Sequence, residues 1–419
     1  TRRRLRHTEC ACYFQRCRMG VRNPHLHKGI AMRLVVSLFL VMVLARVSFG
    51  QADADAAAAE KVQAALDKAG KNRGQIETAL TKVPQPERLA MRFLVENMPE
   101  SDLQNLTSEF LLENVHEAHL AMAAAPWKDL VPPEIFLNNV LPYANVSERR
   151  DNWRKDFRSR FAPMVKDAKT PGEAAAILNN KIFPLLNVRY STKRRRADQS
   201  PLESIESGLA SCTGLSVVLI DACRAVGVPA RFVGTPLWTN KSGNHSWVEV
   251  WDEGWHFTGA AEPAGDALDK AWFTGRAATA LRDEPMHAIY AVSYKKTPML
   301  FPMVWAGQES KVYGVNVTDR YTAKKEKLPD GYVQALFRIY QKNGDRCAAN
   351  VTLLSGGKPV FQGKSKDERF DANDHLAAKV RQGEEYEVEI EHAGTKIRKK
   401  IKVGSNEKIF SYQLDPKLP

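Results

Sequence analysis

Cys212 stands at the start of an apolar run, where its thiol could serve as a nucleophile. The preceding Ser211 is a good helix N-cap, so the pattern predicts a helix that begins at Cys212 and ends near Gly227. The first turn of a helix offers unpaired N–H groups and a positive dipole end, which favour a thiolate over a thiol. We therefore expect Cys212 to be ionised at neutral pH, and Cys223, deep in the same helix, to be structural.

A nucleophilic thiol needs a base, and two histidines flank the strand-like run SWVEVW. His245 stands at the mouth of this run, whereas His256 lies between aromatic residues close to the following turn, which favours a packing role. The sequence thus predicts His245 as the general base of Cys212.

A base needs a group that orients it, and the hairpin sets which acid is near. If the chain turns at 252–254 and returns as WHFTGAAEP, paired residue numbers sum to 506 and His245 faces Ala261. A one-residue bulge at the turn would bring Glu262 level with His245 instead. The other acids of the hairpin lie about 13 Å or more away along the strand. Glu262 is therefore the predicted orienting acid.

The elements that must position these residues follow from periodicity and capping. Capping signals at Ser101 with Gln104 and at Thr170 with Glu173 mark predicted helix starts. Helical periodicity comes first, helices and strands then alternate, and short alternating runs fill the end of the chain. The predicted divisions are an upstream extension with a signal peptide over 1–50, a helical region over 51–130, a core over 131–320 and a small β-sandwich over 330–419. The predicted fold class is α+β.

The beginning of the chain has the features of a secretory signal peptide. Met32 and Arg33 precede an apolar run of 12 residues, Leu34 to Ala45, and small residues follow. Twelve residues are fewer than the roughly 20 that cross a bilayer. We expect export to the periplasm, cell envelope or exterior, without a membrane span in the mature chain, and we expect residues 1–31 to be upstream translation.

The net charge of +13 is concentrated in the predicted leader. Residues 1–50 contain ten Lys or Arg and one acid, which leaves a net charge of +4 for 51–419. Because binding to nucleic acid depends on a dense positive surface, this distribution argues against a nucleic-acid partner.

The six cysteines divide equally between the leader region and the rest of the chain. Cys10, Cys12 and Cys17 fit no standard zinc-ligand spacing, and no metal or organic cofactor is expected. The odd number that remains, Cys212, Cys223 and Cys347, leaves at least one free thiol.

The motifs SCTGLS, GVPAR, NHSWVEVW and GWHFTGAAEP together resemble the transglutaminase-like superfamily over about residues 186–263. The resemblance implies a papain-like core in a bacterial exported protein, with Cys212 as nucleophile and His245 as general base. The family usually has an aspartate soon after the second strand, whereas here Gly259, Ala260 and Ala261 precede Glu262. We assign the third, orienting role to Glu262. The resemblance does not reach the C-terminal β-sandwich.

These observations predict an exported thiol acyl-transfer enzyme that hydrolyses amide or peptide bonds through an acyl-enzyme on Cys212. His245 would remove the thiol proton, Glu262 would hold the imidazole, and N–H groups at the helix start would stabilise the oxyanion. The expected substrate is a peptide or protein, with cell-envelope material as one candidate. Two alternatives stay open: a cross-linking transglutaminase, which passes the acyl group to an amine, and a non-catalytic binding or scaffold module.

Overall fold

The computed structural model describes residues 58–306, 311–323 and 328–414. The predicted signal peptide, the upstream extension and Cys10, Cys12 and Cys17 lie outside these residues. In the part of the chain that is described, every helix is too short or too polar to cross a membrane.

Helices fill the first part of the chain. They are α1 (58–68), α2 (Arg73–Lys82), α3 (Arg88–Asn97), α4 (Glu100–Leu103), α5 (Ser108–Ala124), α6 (Pro133–Asn139) and α7 (Arg154–Phe161), with short 3-10 turns at Gly70–Asn72, Gln85–Glu87, Lys128–Leu130 and Ala162–Met164. The first five share a core that includes Ile76, Leu94, Leu111 and Val115. The predicted helical character of this region is confirmed.

The predicted cap at Ser101 is wrong. Pro99 directly precedes α4, so Ser101 lies inside that helix. A separate helix, α5, begins after Thr107, whose hydroxyl accepts a hydrogen bond from the N–H of Phe110 at 3.2 Å. The stronger cap at Thr107 thus starts a new helix where the periodicity had suggested one continuous element.

Helices and strands alternate in the middle of the chain. The helices are α8 (Pro171–Leu186), α9 (Pro201–Ser207), α10 (Cys212–Ala225), α11 (Thr274–Ala277) and α12 (Thr318–Thr322). The strands are β1 (Arg189–Tyr190), β2 (Leu209–Ala210), β3 (Ala230–Thr235), β4 (His245–Trp251), β5 (Trp255–Thr258), β6 (Tyr290–Ser293), β7 (Met299–Leu300) and β8 (Tyr313–Asn316). The main sheet has the antiparallel order β5-β4-β3-β6-β8-β7, and β1 pairs with β2 in parallel.

Helix α10 is the central helix of this core and packs against α7, α8, β3 and β4. The hydroxyl of Ser211 accepts a hydrogen bond from the N–H of Gly214 at 3.1 Å, which caps the helix as predicted. Beyond the helix, Gly227 adopts a φ of +79°, a conformation that favours glycine. Both predicted limits of this helix are confirmed, and so is the cap of α8 at Thr170.

Buried guanidinium groups fasten the C-terminal end of α10 to the preceding helices. Arg154 of α7 and Arg224 of α10 donate to backbone carbonyl oxygens of segment 139–144 at 2.9 to 3.2 Å. Arg154 also donates to the side chain of Asn114 in α5 at 2.7 Å. These bonds satisfy carbonyl groups of an irregular, buried segment, so α5, α7 and α10 are held as one body.

Strands fill the rest of the described chain. They are β9 (Tyr332–Tyr340), β10 (Asn350–Ser355), β11 (Lys358–Lys364), β12 (Leu376–Arg381), β13 (Glu385–His392), β14 (Thr395–Lys402) and β15 (Lys408–Gln413). One sheet has the order β11-β10-β13-β14 and the other β12-β9-β15. Both contribute to a core that includes Phe337, Leu353 and Val388. The α+β fold class is confirmed; the exact domain boundaries stay predictions.

Candidate active site

Cys212 is the first residue of α10, and its side chain is half-buried. The backbone N–H groups of Ser246 and Thr213 face its sulfur. The hydroxyl groups of the same two residues lie 3.2 Å apart and join α10 to the start of β4. This contact fixes the helix that carries Cys212 to the strand that carries His245.

The prediction that the helix start ionises Cys212 is wrong. Burial raises the pKa of the Cys212 thiol, and the negative charge of Asp371 raises it further. The N–H groups of Ser246 and Thr213 act in the opposite direction but do not offset these effects. The protonated thiol is therefore the resting form, and a thiolate forms only when a neighbouring base takes the proton.

His245 is the first residue of β4 and pairs with Thr235 of β3. Its side chain is 1% exposed. Aromatic rings enclose the imidazole, with centroids 4.8 to 6.0 Å from its own: Trp238, Trp247, Trp272 and Phe273. Such an enclosure limits the orientations of the ring and keeps water away, so a positive charge on it needs a nearby counter-charge.

The counter-charge next to His245 belongs to Asp371. The imidazole Nδ1 lies 3.5 Å from the Asp371 Oδ2, and the aspartate side chain is 2% exposed. The Cys212 sulfur, a ring nitrogen of His245 and a carboxylate oxygen of Asp371 all lie within 4.8 Å of one another. The 3.5 Å separation is longer than a direct hydrogen bond, as catalytic contacts often are before substrate binds.

The same three groups are also donors of the kind that bind zinc. Among the described residues they form the cluster of His, Cys, Asp or Glu side chains close enough to hold a metal ion. A partly exposed cysteine paired with an imidazole is equally the arrangement of a thiol nucleophile and its base, and the chemistry below needs no metal.

The β4–β5 hairpin has the predicted register. Trp251 faces Trp255, and the ladder continues to Val248 opposite Thr258, where it ends. The bulge that would have aligned Glu262 with His245 is not present in this ladder. The position of Glu262 is therefore set by the turn after Thr258 and not by strand pairing.

Glu262 lies beside the site but not against the imidazole, which corrects the predicted contact. Its N–H donates to the carbonyl oxygen of Gly259 at 3.2 Å, so the chain turns immediately after the strand. Its Oε2 accepts a hydrogen bond from the indole N–H of Trp272 at 2.7 Å. In the part of the chain that the structure describes, Asp371 is the acid that forms an ion pair with His245.

The two acids near His245 differ in charge. Burial and the negative charge of Asp371 raise the pKa of Glu262 well above its usual range, against the effect of the Trp272 indole N–H. Burial alone would also raise the pKa of Asp371, but the His245 charge and the N–H of Asn373 hold it below its usual range. Because two adjacent buried carboxyl groups do not both ionise readily, Asp371 is the ionised acid and Glu262 the protonated one.

The alternative histidine takes no part in this cluster. His256 Nδ1 lies 2.8 Å from Asp269 Oδ2, and the two side chains are 38% and 37% exposed. It is thus a surface ion-pair residue, not one packed between aromatic rings as its neighbours suggested.

Sequence reasoning missed Asp371, which lies in the loop over 365–375 between β11 and β12. This segment, SKDERFDANDH, contains residues typical of turns but no hydrophobic periodicity. The burial of four polar residues of this loop, Asp371, Asn373, Asp374 and His375, is the unusual feature, and it follows from tertiary packing. The turn-like composition could have located a loop, but nothing in it identifies the loop's contacts.

A cleft of about 330 Å³ adjoins the site. Its lining includes Tyr190 of β1, Leu215 of α10, Glu262 and Arg369. A larger cavity of about 1470 Å³ lies elsewhere, and none of the side chains around Cys212 lines it. The smaller cleft therefore reaches the surroundings of the site through Tyr190 and Glu262, while Cys212, His245 and Asp371 are not among its lining residues.

A thiol at a helix start, with an imidazole and a carboxylate beside it on a papain-like α+β core, defines the general class of thiol enzymes. Residues 158–259 match the model of the transglutaminase-like superfamily. This segment is thus transglutaminase-like, and the resemblance seen in the motifs is confirmed over these residues.

The chain is also similar to a solved protein from Cytophaga hutchinsonii described, provisionally, as a cysteine protease. The two sequences are 17% identical, and the TM-score is 0.24. The similarity covers 39% of this chain and 58% of the length of that one. A search of curated proteins gave no match.

Proposed function

We propose that this protein is an exported thiol hydrolase that cleaves amide or peptide bonds through an acyl-enzyme on Cys212. The observation that carries the proposal is the half-buried Cys212 at the start of α10, with the enclosed imidazole of His245 and the Asp371 carboxylate within 4.8 Å. Cys223 and Cys347 are buried, and among the described residues neither belongs to a cluster with His, Asp or Glu like that of Cys212, so we assign the chemistry to Cys212.

The first half of the reaction forms a thioester. His245 takes the thiol proton while the sulfur attacks the carbonyl carbon of the substrate, and the C=O electron pair moves onto oxygen. N–H groups at the start of α10 and at Ser246 are positioned to stabilise this oxyanion. The oxyanion then collapses, the C–N bond breaks, and His245 gives its proton to the leaving amine.

The second half releases the acyl group. Water attacks the thioester while His245 accepts one of its protons, the C–S bond breaks, and the proton returns to sulfur. The products are a carboxylic acid and the original thiol. An amine in place of water would give a cross-link by the same steps, so the acceptor distinguishes the hydrolase from a transglutaminase.

The cleft lined by Tyr190 and Glu262 supports a peptide or protein substrate. Its lining includes the exposed side-chain amide of Asn187 and the apolar residues Phe183 and Leu215. Amide groups can pair with the backbone of an extended peptide, and the apolar surface can accept a side chain. Cell-envelope peptides are the substrate class that an exported enzyme would meet.

Export is supported by the charged start at Met32 and Arg33 and the 12-residue apolar run that follows. N-terminal sequencing of the protein recovered from the periplasm or medium tests this proposal. We expect the first residue to lie shortly after Ala45. An unprocessed chain that stays in the cytoplasm would contradict export while leaving the chemistry untouched.

The chemistry is tested with p-nitrophenyl acetate as an acyl donor and with intact-protein mass spectrometry. We expect a burst of nitrophenol and an acetyl adduct on Cys212, and loss of both in Cys212→Ala. Cys223→Ala is the matched control, because Cys223 is a thiol on the same helix but is fully buried. A Cys212→Ala variant that reacts like its parent would refute the proposal.

Amine incorporation then separates the acceptors. With a glutamine-containing protein and a fluorescent primary amine, we expect no transfer above the Cys212→Ala background. Transfer to the amine faster than to water would replace hydrolysis by cross-linking. An absence of any acylation of Cys212 would favour the scaffold alternative.

A further inference from the structure

Among the described residues, the acid that lies against the imidazole of His245 is Asp371, which does not belong to the core. The family match ends at residue 259, and the ladder that carries His245 ends at Thr258. Glu262, the acid predicted from the core, has a pKa raised by burial and by the charge of Asp371, and it is hydrogen-bonded to Trp272. An imidazole that accepts a proton in a dry aromatic enclosure therefore depends on a charge from another part of the chain.

The loop over 365–375 of the C-terminal β-sandwich provides that charge, and its own domain holds it in place. Arg346, which is 6% exposed, donates to the carbonyl oxygen of Asp371 at 2.9 Å and to that of Phe370. The N–H of Asn373 donates to Oδ1 of Asp371 at 2.8 Å. The carboxylate is thus fixed on one oxygen, and its other oxygen faces His245.

The same loop is bound to the core through the two residues that follow Asp371. The N–H of Ala372 donates to the hydroxyl oxygen of Tyr190 at 2.9 Å. The side chain of Asn373 donates to the carbonyl oxygen of Asn244, the residue before His245, at 2.9 Å. Arg276 of α11 donates to the carbonyl oxygen of Asn373. These bonds join the loop to three separate elements of the core around the site.

We propose that Asp371 is the positioning residue of His245 and that the active site is completed by the C-terminal β-sandwich. This inference rests on the proposed function. Asp371 holds the ring in the orientation that accepts the Cys212 proton, and it balances the positive charge that the ring carries during attack. The C-terminal β-sandwich is then part of the catalytic unit and not a spacer or a separate binding module.

The test compares Asp371→Asn with Asp374→Asn in the full chain, using nitrophenol release from p-nitrophenyl acetate. Asp374 is a matched control, because it is buried in the same loop but pairs with Lys366 at 3.6 Å. We expect Asp371→Asn to lower kcat by about 100-fold or more with little change in KM. Asp374→Asn should stay within about threefold of the parent.

The readouts keep a positioning role apart from a folding defect. The proposal requires that Asp371→Asn melts as a folded protein well above the assay temperature. Because loss of folded protein would also lower the apparent kcat at constant KM, kcat is calculated per folded molecule from the melting curve. An Asp371→Asn variant as active as Asp374→Asn would overturn the inference while Cys212→Ala still showed the proposed function. A large loss of kcat in Glu262→Gln instead would return the positioning role to the core's own acid.

Discussion

Two loops bring a carboxyl group towards His245, one from the core and one from the C-terminal β-sandwich. The core's turn at 259–262 is adjacent to the histidine's hairpin, yet Glu262 contacts the indole of Trp272. The loop over 365–375 is distant in sequence, yet Asp371 lies 3.5 Å from the imidazole. Proximity along the chain therefore does not decide which acid serves the base.

The two loops differ in the protonation state of the carboxyl group that each carries. Asp371 receives an N–H from Asn373 and faces the imidazole of His245, and these contacts keep its pKa below the usual range in a buried place. Glu262 receives the Trp272 N–H but faces a second negative charge, so it keeps its proton. A buried site of this size stabilises one carboxylate, and the neighbouring hydrogen-bond donors determine which of the two acids is ionised.

The largest effect is expected from removing the group that both loops approach. His245→Ala should lower the rate of Cys212 acylation by about 10³-fold or more, because the protonated thiol then has no base. Nitrophenol release measures this rate. His256→Ala, which changes a surface histidine paired with Asp269, is the control and should react like the parent. A His245→Ala variant within tenfold of the parent would show that neither loop acts through the imidazole.

The next effect concerns the anchor of the loop over 365–375. Arg346→Met leaves the carbonyl oxygens of Phe370 and Asp371 without their donor. We expect acylation to fall about tenfold through misplacement of the carboxylate, and the free energy of unfolding to fall by about 1–3 kcal/mol. Denaturant unfolding and nitrophenol release measure the two quantities.

Arg338→Met serves as the control for that variant, because Arg338 contacts Ser411 on the exposed surface of the same domain. It should change neither quantity appreciably. If Arg346→Met loses stability but keeps the full acylation rate, the loop's anchoring has no part in positioning Asp371.

The pKa of Asp371 is lowered and that of Glu262 is raised, so the two acids should change the pH dependence of stability in opposite directions. The lowered pKa of Asp371 stabilises the fold above the ordinary aspartate range, and this contribution is lost as pH falls through the folded-state pKa. The raised pKa of Glu262 means that unfolding releases its proton, so its cost appears as pH rises above the ordinary glutamate range.

Melting curves between pH 3 and pH 8 test this pair of signs. Asp371→Asn should lower Tm at pH 7, by about 2 °C or more, and lose its effect towards pH 3. Glu262→Gln should match its parent at pH 4 and gain in Tm relative to it as pH rises. If Tm changed with pH in the same direction in both variants, the two acids would have the same protonation state in the folded protein.

The smallest effect is expected on the activity of Glu262→Gln. Since Glu262 already carries its proton, an amide of the same shape can keep the contact with Trp272, and acylation at pH 7 should stay within about threefold of the parent. This variant and Asp371→Asn therefore give the sharpest contrast between the two loops.

Local chemistry explains why part of the site could be predicted from the sequence. The cap at Ser211 and the pairing of Trp251 with Trp255 depend on residues close in the chain, and both were correct. The resemblance of the motifs likewise identified Cys212 and His245 as neighbours, which the structure bears out. Short-range signals thus place the nucleophile at a helix start and its base at a strand start, and the resemblance of the motifs brings the two together.

The remaining features depend on packing that no local pattern encodes. The loop over 365–375 contacts Tyr190 and Asn244 through backbone groups, whose partners cannot be inferred from residue types. Burial also reversed the expected ionisation of Cys212, because desolvation and the charge of Asp371 outweighed the helix start. Long-range docking and desolvation are therefore where the sequence-based account of the site was incomplete.

The guanidinium groups of Arg154 and Arg224 have a practical consequence for producing the catalytic region. Arg154 lies outside the 158–259 segment that matches the family model, yet it bonds to the carbonyl oxygens that wrap the far end of the nucleophile's helix. A gene fragment that begins at residue 158 would encode Cys212 and His245 but would lack Arg154 and segment 139–144. Arg224 would then be a buried cation without its carbonyl partners in that segment. The smallest soluble fragment should therefore begin ahead of α5, well before the region that sequence comparison recognises.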